Sequence, residues 1–252
     1  MKHLDSFWHE ARPLAYGAAG THVLPIAIEK LPNHIQLIEI SSFRKRVLPY
    51  PEGIESRIYP TMREVRRHGV AEEVELSIFT PPNDLGFLVP QPLYLKNSML
   101  GHYTICHRRK DILDYTALAV ETGVLDKDSA ADFLSSKHFI PGGVELGIYP
   151  KTFLVDALSK IERVSKSFLI RYSDRLRKYD AYQIRAVGFL SERLGSFLLM
   201  RHLIEAHGKD IPEPIFGHMT AIVEDDATYT VGLVEQPKKR LARYKLKDDR
   251  AG

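Results

Sequence analysis

The apolar positions of the chain change their spacing partway along it. In the first half they form short runs bounded by turn residues, at 22–28, 34–43, 74–80 and 86–90. Runs of this length, bounded in this way, predict β-strands. The segment 220–234 has the same character and predicts a hairpin that turns at residues 224–226.

In the middle of the chain the apolar residues recur every three or four positions, which is the spacing of a helix face. The segment 109–122 has this pattern, and Gly123 is a suitable stop. A second, short helix is predicted through Phe133 and Leu134, with Asp126 or Asp128 as its N-cap.

Two long helices are predicted over 151–178 and 182–207, with a break at 179–181. Their apolar stripes predict that they pack against each other as an antiparallel pair. Strands followed by helices predict the α/β class. We therefore expect one domain over 1–236, with a central mixed sheet built from the first half, and a basic, flexible tail over 237–252.

Composition excludes several classes of protein. The chain has 252 residues, of which 44% are hydrophobic and 27% are charged, and these values are ordinary for a folded globular protein. They argue against a disordered chain, a collagen-like fibre and a coiled-coil rod. The net charge of +3 is too small to imply nucleic-acid binding, so no nucleic-acid partner is expected.

Cysteine content and hydropathy bear on location. Cys106 is the only cysteine, so a disulfide within the chain is excluded, which suits a reducing cytoplasm. We find no apolar run near the ~20 residues that span a bilayer, and no apolar stretch of a secretory signal at the N-terminus. A cytoplasmic protein is expected. The basic segment 238–247 suggests contact with anionic lipid at the inner membrane face, with a solvated tail as the alternative.

Common catalytic signatures are missing from the sequence. It contains no Walker loop, GxGxxG, HExxH, paired CxxC or GxSxG motif. Four other clusters of polar residues are candidates for a site. The first is Arg44, Lys45 and Arg46 at the end of a predicted strand, where guanidinium groups are suited to gripping a diphosphate. A solvated strand end is the alternative.

The second cluster lies in the segment 101–111. Tyr103, His107 and Asp111 are spaced by four, which predicts one helical face. His107 is a candidate to orient a phosphate or hydroxyl, with Asp111 fixing its tautomer, and Arg108 adds positive charge. Ordinary capping and core contacts are the alternative.

The third cluster lies in the segment 138–147. Gly142 and Gly143 permit positive φ angles or the close approach of a ligand. Glu145 follows in apolar surroundings, which raise the pKa of a carboxyl and suit it to act as a base toward a hydroxyl. A tight turn with a surface glutamate is the alternative.

The fourth cluster predicts a stripe of Arg185, Gly188 and Glu192 on the second long helix. A glycine inside a helix costs ~1 kcal/mol relative to alanine, so Gly188 suggests a close approach by a helix or a ligand. A buried Arg–Glu brace is the alternative. The acidic residues 224–226 resemble a metal-binding pair, but a turn is the favoured interpretation.

The order of these segments resembles a known family. A strand with a basic cluster, then LVP, HYTICHRRKDIL, a glycine pair and DAYQIRAVGFLSERL are similar to the bacterial capsular-polysaccharide-synthesis glycosyltransferases, over about residues 35–205. The run from Ser42 to Lys45 resembles an aromatic-Arg-Arg motif, with Ser42 where the family usually has histidine. The pattern closing the match comprises Arg185, Gly188, Phe189, Glu192, Arg193 and Leu194.

The resemblance implies a nucleotide-sugar-transferase-like (GT-A-like) fold that moves a sugar from a nucleotide donor, with a UDP-sugar favoured, to a growing glycan or lipid-linked glycan. Under it, the donor phosphates would be bound by Arg44, Lys45, His107, Arg108 and Tyr103. The candidates for the base are, in order, Glu145, Asp111 and Glu192. The acceptor would approach Gly142, Gly143 and Arg185, and Trp8 and Tyr149 are candidates to stack on a sugar or base.

No cofactor is assigned, because basic side chains can stabilise the negative charge of the leaving diphosphate without one. A divalent metal is left open, without a convincing acidic motif. The alternative function is a non-catalytic glycan-binding or scaffold subunit of polysaccharide assembly. A nucleic-acid-binding module that uses the HRRK run at 107–110 and the basic tail is a less favoured third hypothesis.

Overall fold

The structure is a computed structural model that describes residues 2–42, 44–56, 61–66, 81 and 84–223. The predicted strand 74–80, the acidic residues 224–226 with the rest of the predicted hairpin, and the basic tail lie outside the described residues, as does Phe43. The helices are α1 Ser6–Ala15, α2 Ala18–Thr21, α3 Leu24–Glu29, α4 Met99–Cys106, α5 Arg109–Glu121, α6 Lys127–Ser135, α7 Lys151–Leu176 and α8 Ala186–His207.

The strands are β1 Leu37–Ile40, β2 Lys45–Leu48, β3 Ile54–Glu55, β4 Met62–Arg66, β5 Val89–Pro90, β6 Leu93–Tyr94, β7 His138–Phe139, β8 Gly147–Pro150 and β9 Phe216–Val223. The strands predicted within 34–43 and 86–90 are confirmed as β1 and β5. The strand predicted over 22–28 is wrong, because this segment forms α3. Pro25 lies in the first turn of that helix, where its fixed φ is favourable and its missing N–H costs nothing.

A mixed sheet is present, but its centre does not come from the first half of the chain. Its strands lie in the order β2-β9-β4-β3, and β5 also pairs with β9. β9 runs antiparallel to β2 and parallel to β4 and β5. The central strand therefore follows the second long helix, which corrects the prediction for that strand, whereas the other four strands of the sheet come from the first half as predicted.

Two smaller strand pairs accompany this sheet. β1 pairs antiparallel with β8, and β6 pairs antiparallel with β7. A bridge between Leu88 and Ile148 connects β8 to the residue before β5. β8 leads directly into α7, so the loop before β8 is held between strands and the long helices.

The helical predictions for the second half are confirmed. Asp126 is the N-cap of α6 and accepts a hydrogen bond from the backbone N–H of Ser129. α7 and α8 pack antiparallel, since Ser165 contacts Ser191 while Ile161 lies against the backbone of Gly195. Leu194 is fully buried, as its position in the apolar stripe predicts.

The N-terminal helices pack onto this pair. Trp8 of α1 is fully buried, and its indole N–H donates to Glu162 of α7 at 2.9 Å. His22 is also buried and lies 4.3 Å from the Trp8 ring. None of the helices in the described ranges combines the length and the apolarity that crossing a bilayer requires.

Candidate functional site

The candidate site is organised by a glycine turn between β7 and β8. Gly142 has a φ of +81° and Gly143 a φ of +56°, so the predicted positive φ angles are confirmed. A Cβ on Gly143 would lie 2.5 Å from the carbonyl oxygen of Glu192, which excludes a side chain there without movement. The turn therefore sits directly on the backbone of α8.

Buried hydroxyls fix this turn from two sides. The Tyr149 hydroxyl lies within hydrogen-bond distance of two carbonyl oxygens of the turn, that of Gly143 at 3.1 Å and that of Leu146 at 2.6 Å. The Ser196 hydroxyl of α8 accepts a hydrogen bond from the N–H of Ile140 at 2.7 Å. Because backbone groups are paired at both ends of the turn, its shape is set by the fold and not by solvent.

Glu192 connects α8 to the turn with both carboxylate oxygens. Oε1 accepts from the N–H of Gly142 at 2.8 Å, and Oε2 pairs with Nη1 of Arg193 at 3.0 Å. The expected brace with Arg185 is wrong. Arg185 is the N-cap residue of α8, and its guanidinium lies 5.4 Å from the ring centre of Phe189 instead.

Glu145 lies in the same turn, half-buried, with its N–H donating to the carbonyl of Gly142 at 2.8 Å. Within the described part of the chain, its carboxylate makes no hydrogen bond or ion pair. Burial, and then the charge of Glu192, raise the pKa of Glu145 to about 8. A carboxyl that titrates near neutral pH, on a rigid turn, is suited to accepting a proton.

Asp111 differs from Glu145 in having strong partners. It is fully buried, and its Oδ1 pairs with Nη2 of Arg175 at 2.8 Å and accepts from the Tyr179 hydroxyl at 3.0 Å. Arg175 also pairs with Asp114. Burial raises the pKa of Asp111, opposed by the Tyr179 hydrogen bond and the Arg175 charge. This group joins α5 to α7 and to the turn that follows α7.

The predicted helical face of Tyr103, His107 and Asp111 is wrong, because the chain does not stay helical between them. α4 ends at Cys106, and His107 is extended, with a φ of −128°. A new helix then begins at Arg109. The extended residues change the direction of the chain, so Asp111 meets Arg175 and Tyr179 and not His107.

Tyr103 and His107 nevertheless contact each other in an aromatic cluster. The His107 ring is 4.7 Å from the ring of Tyr103, 4.2 Å from that of Phe189 and 5.4 Å from that of Tyr182. The guanidinium of Arg193 lies 5.3 Å from the buried Tyr103 ring. Arg193 therefore connects these rings to Glu192, and the sequence assigned it no role beyond its place in the closing pattern.

The remaining predicted residues are basic side chains outside the turn. Arg108 is the N-cap residue of α5, with its guanidinium 4.5 Å from the Tyr179 ring centre. Arg44 precedes β2 and Lys45 is its first residue, and Val47 of that strand shares a buried apolar cluster with Leu146. The convergence of Arg44 and Lys45 on Glu145 remains a prediction.

Three sequence interpretations are corrected by burial and packing. Trp8 and Tyr149 are both fully buried, so neither has an exposed face for a sugar or base. Gly188 has only an ordinary contact with Ala18, at 3.9 Å for an added Cβ. The crowded glycine of α8 is Gly195, where an added Cβ would lie 3.1 Å from the backbone nitrogen of Val144.

A metal centre finds no support in the ranges that the structure describes. No group of three or more His, Cys, Asp or Glu side chains is arranged there to hold a metal ion. The acidic residues 224–226, which left a divalent metal open, fall outside those ranges.

Comparisons with known proteins support the fold. No family model matches the chain, and no curated protein sequence matches it significantly. Among solved structures, the chain is similar to the apo structure of the WbbM bifunctional glycosyltransferase, with a TM-score of 0.63 at 12% identity. The match covers 90% of this chain and 40% of that one. The chain thus has the fold of part of that protein.

Proposed function

We propose that this chain is a glycosyltransferase that moves a sugar from a nucleotide-sugar donor to a growing surface or capsular polysaccharide. The observation that carries the proposal is Glu145, a carboxylate on a rigid glycine turn with no partner among the described residues and a raised pKa. The fold shared with part of a bifunctional glycosyltransferase supports it, as does the sequence resemblance to the capsular family.

The proposed chemistry assigns different work to the three acidic candidates. Glu145 takes the proton of the acceptor hydroxyl while the acceptor oxygen bonds to the sugar and the nucleoside diphosphate departs. Glu192 holds the turn, because both of its oxygens are already engaged. Asp111 stabilises the helices through Arg175.

Positive side chains would stabilise the charge that develops on the departing diphosphate. We assign this role to Arg44, Lys45 and Arg108, with His107 as the aromatic side of the donor site. Tyr103 is fully buried, so its predicted place in the donor site is corrected to packing against His107. A UDP-sugar donor, a lipid-linked glycan acceptor and a GT-A-like arrangement of the sheet belong to the same proposal. So do a cytoplasmic location and peripheral membrane contact through the basic tail.

The test combines binding and turnover. The full chain is titrated calorimetrically with UDP, GDP and CMP, then assayed for nucleotide release from the matching nucleotide sugars with glycan acceptors. Wild type and Glu213→Gln, a change at an exposed glutamate, should bind a nucleotide and turn over. Glu145→Gln should bind the same nucleotide without turnover, and Arg44→Ala should weaken binding first.

The outcomes separate the two functions. Glycan binding without nucleotide binding or turnover would favour the non-catalytic subunit and contradict the transferase. Nucleotide binding with equal turnover in wild type and Glu145→Gln would remove Glu145 as the base. Co-sedimentation with anionic vesicles, comparing the full chain with one that ends at Gln236, tests the membrane contact.

A further inference from the structure

We propose that Arg193 is a positioning residue, which holds Glu192 against the glycine turn and so fixes the place of Glu145 in the site. The inference rests on the proposed function, because it takes Glu145 as the base. It gives Arg193 a role that neither the sequence clusters nor the comparisons assign.

Arg193 is held in a setting that leaves it little freedom. Its side chain is only 8% exposed. Nη1 donates to the carbonyl of Phe189 at 2.9 Å and pairs with Oε2 of Glu192 at 3.0 Å. The guanidinium lies 5.3 Å from the ring centres of both Tyr103 and Phe139. A buried cation requires an anionic partner, and here Glu192 supplies it.

A short series of hydrogen bonds connects Arg193 to the backbone of Glu145. The Glu192 carboxylate, fixed by Arg193 on one oxygen, accepts from the N–H of Gly142 on the other, at 2.8 Å. The carbonyl of Gly142 in turn accepts from the N–H of Glu145 at 2.8 Å. A change in the rotamer of Glu192 would therefore displace the backbone of Glu145, the proposed base.

Charge connects the same residues. The titratable groups that influence or are influenced by Glu145 are Glu192 of α8, Tyr115 of α5 and Tyr149 of β8. The charge of Arg193 lowers the pKa of His102 of α4, and the charge of Glu192 raises it. Because Arg193 compensates the charge of Glu192, removing Arg193 should raise the pKa of Glu145 further. Removing the charge of Glu192 should lower it.

The experiment compares four variants of the full chain. Arg193→Met removes the cation, Arg193→Lys retains it, and Glu192→Gln removes the opposing charge while keeping the shape. Arg201→Met is the matched control, because Arg201 lies on the same helix, pairs with Glu205 and contacts the ring of Phe197. The readouts are kcat and kcat/KM against pH, the Kd of the nucleotide, and a carbon-13 NMR titration of the Glu145 carboxyl, assigned with Glu145→Gln.

The expected results differ in direction. Arg193→Met should lower kcat by about tenfold to a hundredfold, in line with a small misplacement of a reacting group, and leave the nucleotide Kd within about twofold. In the plot of kcat against pH, the acidic limb of Arg193→Met should move to higher pH. The acidic limb of Glu192→Gln should move to lower pH. Arg193→Lys should recover most of the rate, and Arg201→Met should match wild type.

Two outcomes overturn the inference. One is a loss of rate in Arg193→Met with an unchanged acidic limb and an unchanged Glu145 titration, which would show a merely structural role. The other is a Glu145 titration that moves the same way in Arg193→Met and Glu192→Gln. If Arg193→Met does not fold, Glu192→Gln and Arg193→Lys still report the titration. If wild type shows no transfer but the titrations diverge as expected, the positioning geometry stands and the proposed function fails.

Discussion

Asp111 and Glu145 are two carboxylates whose pKa is raised by burial, but the regions around them differ. Asp111 lies between helices with a guanidinium and a phenol on one oxygen. Glu145 lies on a turn, and in the described chain nothing pairs with its carboxylate. A raised pKa alone therefore does not distinguish a brace from a base, whereas the partners do.

The difference has an energetic reason. A buried carboxylate with an arginine partner recovers part of its desolvation cost, so it stabilises the fold as long as the pair stays intact. A half-buried carboxylate without a partner costs stability in its charged form, and proteins retain such groups where their chemistry is used. Four measurements can break or sharpen this contrast between the two regions.

The largest expected effect is on turnover. Glu145→Gln should lower kcat by about 10²–10⁴-fold, the usual contribution of a positioned base, and leave nucleotide affinity nearly unchanged. Asp111→Asn, measured on folded protein, should lower kcat by less than about tenfold, since it is not near the reacting atoms in our proposal. Steady-state kinetics and calorimetry check both. Comparable losses of kcat in the two variants would contradict the assignment of Glu145 as the base and Asp111 as a structural residue.

The second effect is on stability. Asp111→Ala leaves Arg175 with only Asp114, and should lower the free energy of unfolding by about 3 kcal/mol, the lower end for breaking a buried pair. Asp174→Ala removes an exposed pair with Arg177 and should cost less than about 0.5 kcal/mol. Urea denaturation measures both. A loss below about 1 kcal/mol for Asp111→Ala would show that its pair is not a brace.

The third effect is the pH dependence of stability. The pKa of Glu145 rises from 4.5 to about 8 on folding, so between these values the folded state binds more protons than the unfolded state. Stability from this group therefore falls as pH rises through that window. Glu145→Gln should remove the fall and be more stable than wild type by about 1–3 kcal/mol near pH 9.

Denaturation of both proteins from about pH 4 to pH 9 checks this sign. Near pH 4, where Glu145 is protonated in both states, wild type and Glu145→Gln should agree to within about 0.5 kcal/mol. A variant less stable than wild type at high pH would mean that the charged carboxylate has a partner that stabilises it.

The fourth effect isolates the turn that carries Glu145. Gly143→Ala combines a positive φ with a Cβ 2.5 Å from the Glu192 carbonyl, and should cost about 2–3 kcal/mol. Gly123→Ala has a similar φ of +71° but open space, and should cost only about 1 kcal/mol. Chemical denaturation measures the difference. Equal losses would show that the contact with α8 does not constrain the turn.

Much of the helical half could be predicted from the sequence. The apolar spacing of three and four residues located α5, α7 and α8, and Asp126 was one of two proposed caps for α6. The glycine pair before Glu145 predicted positive φ angles, which the turn adopts. These features depend on neighbours within a few residues, so the local sequence contains the information.

The tertiary structure decided everything that depends on distant partners. The short apolar run 22–28 fits a strand or a helix by composition, and the packing of α3 in the fold resolves it. β9 becomes the central strand only because three other strands meet it. The sequence ranked Glu145 ahead of Asp111 as a base, but the arginine partner of Asp111 became known only when the fold brought Arg175 to it. Local spacing fixes which way a side chain points, whereas its partners come from segments that only folding brings together.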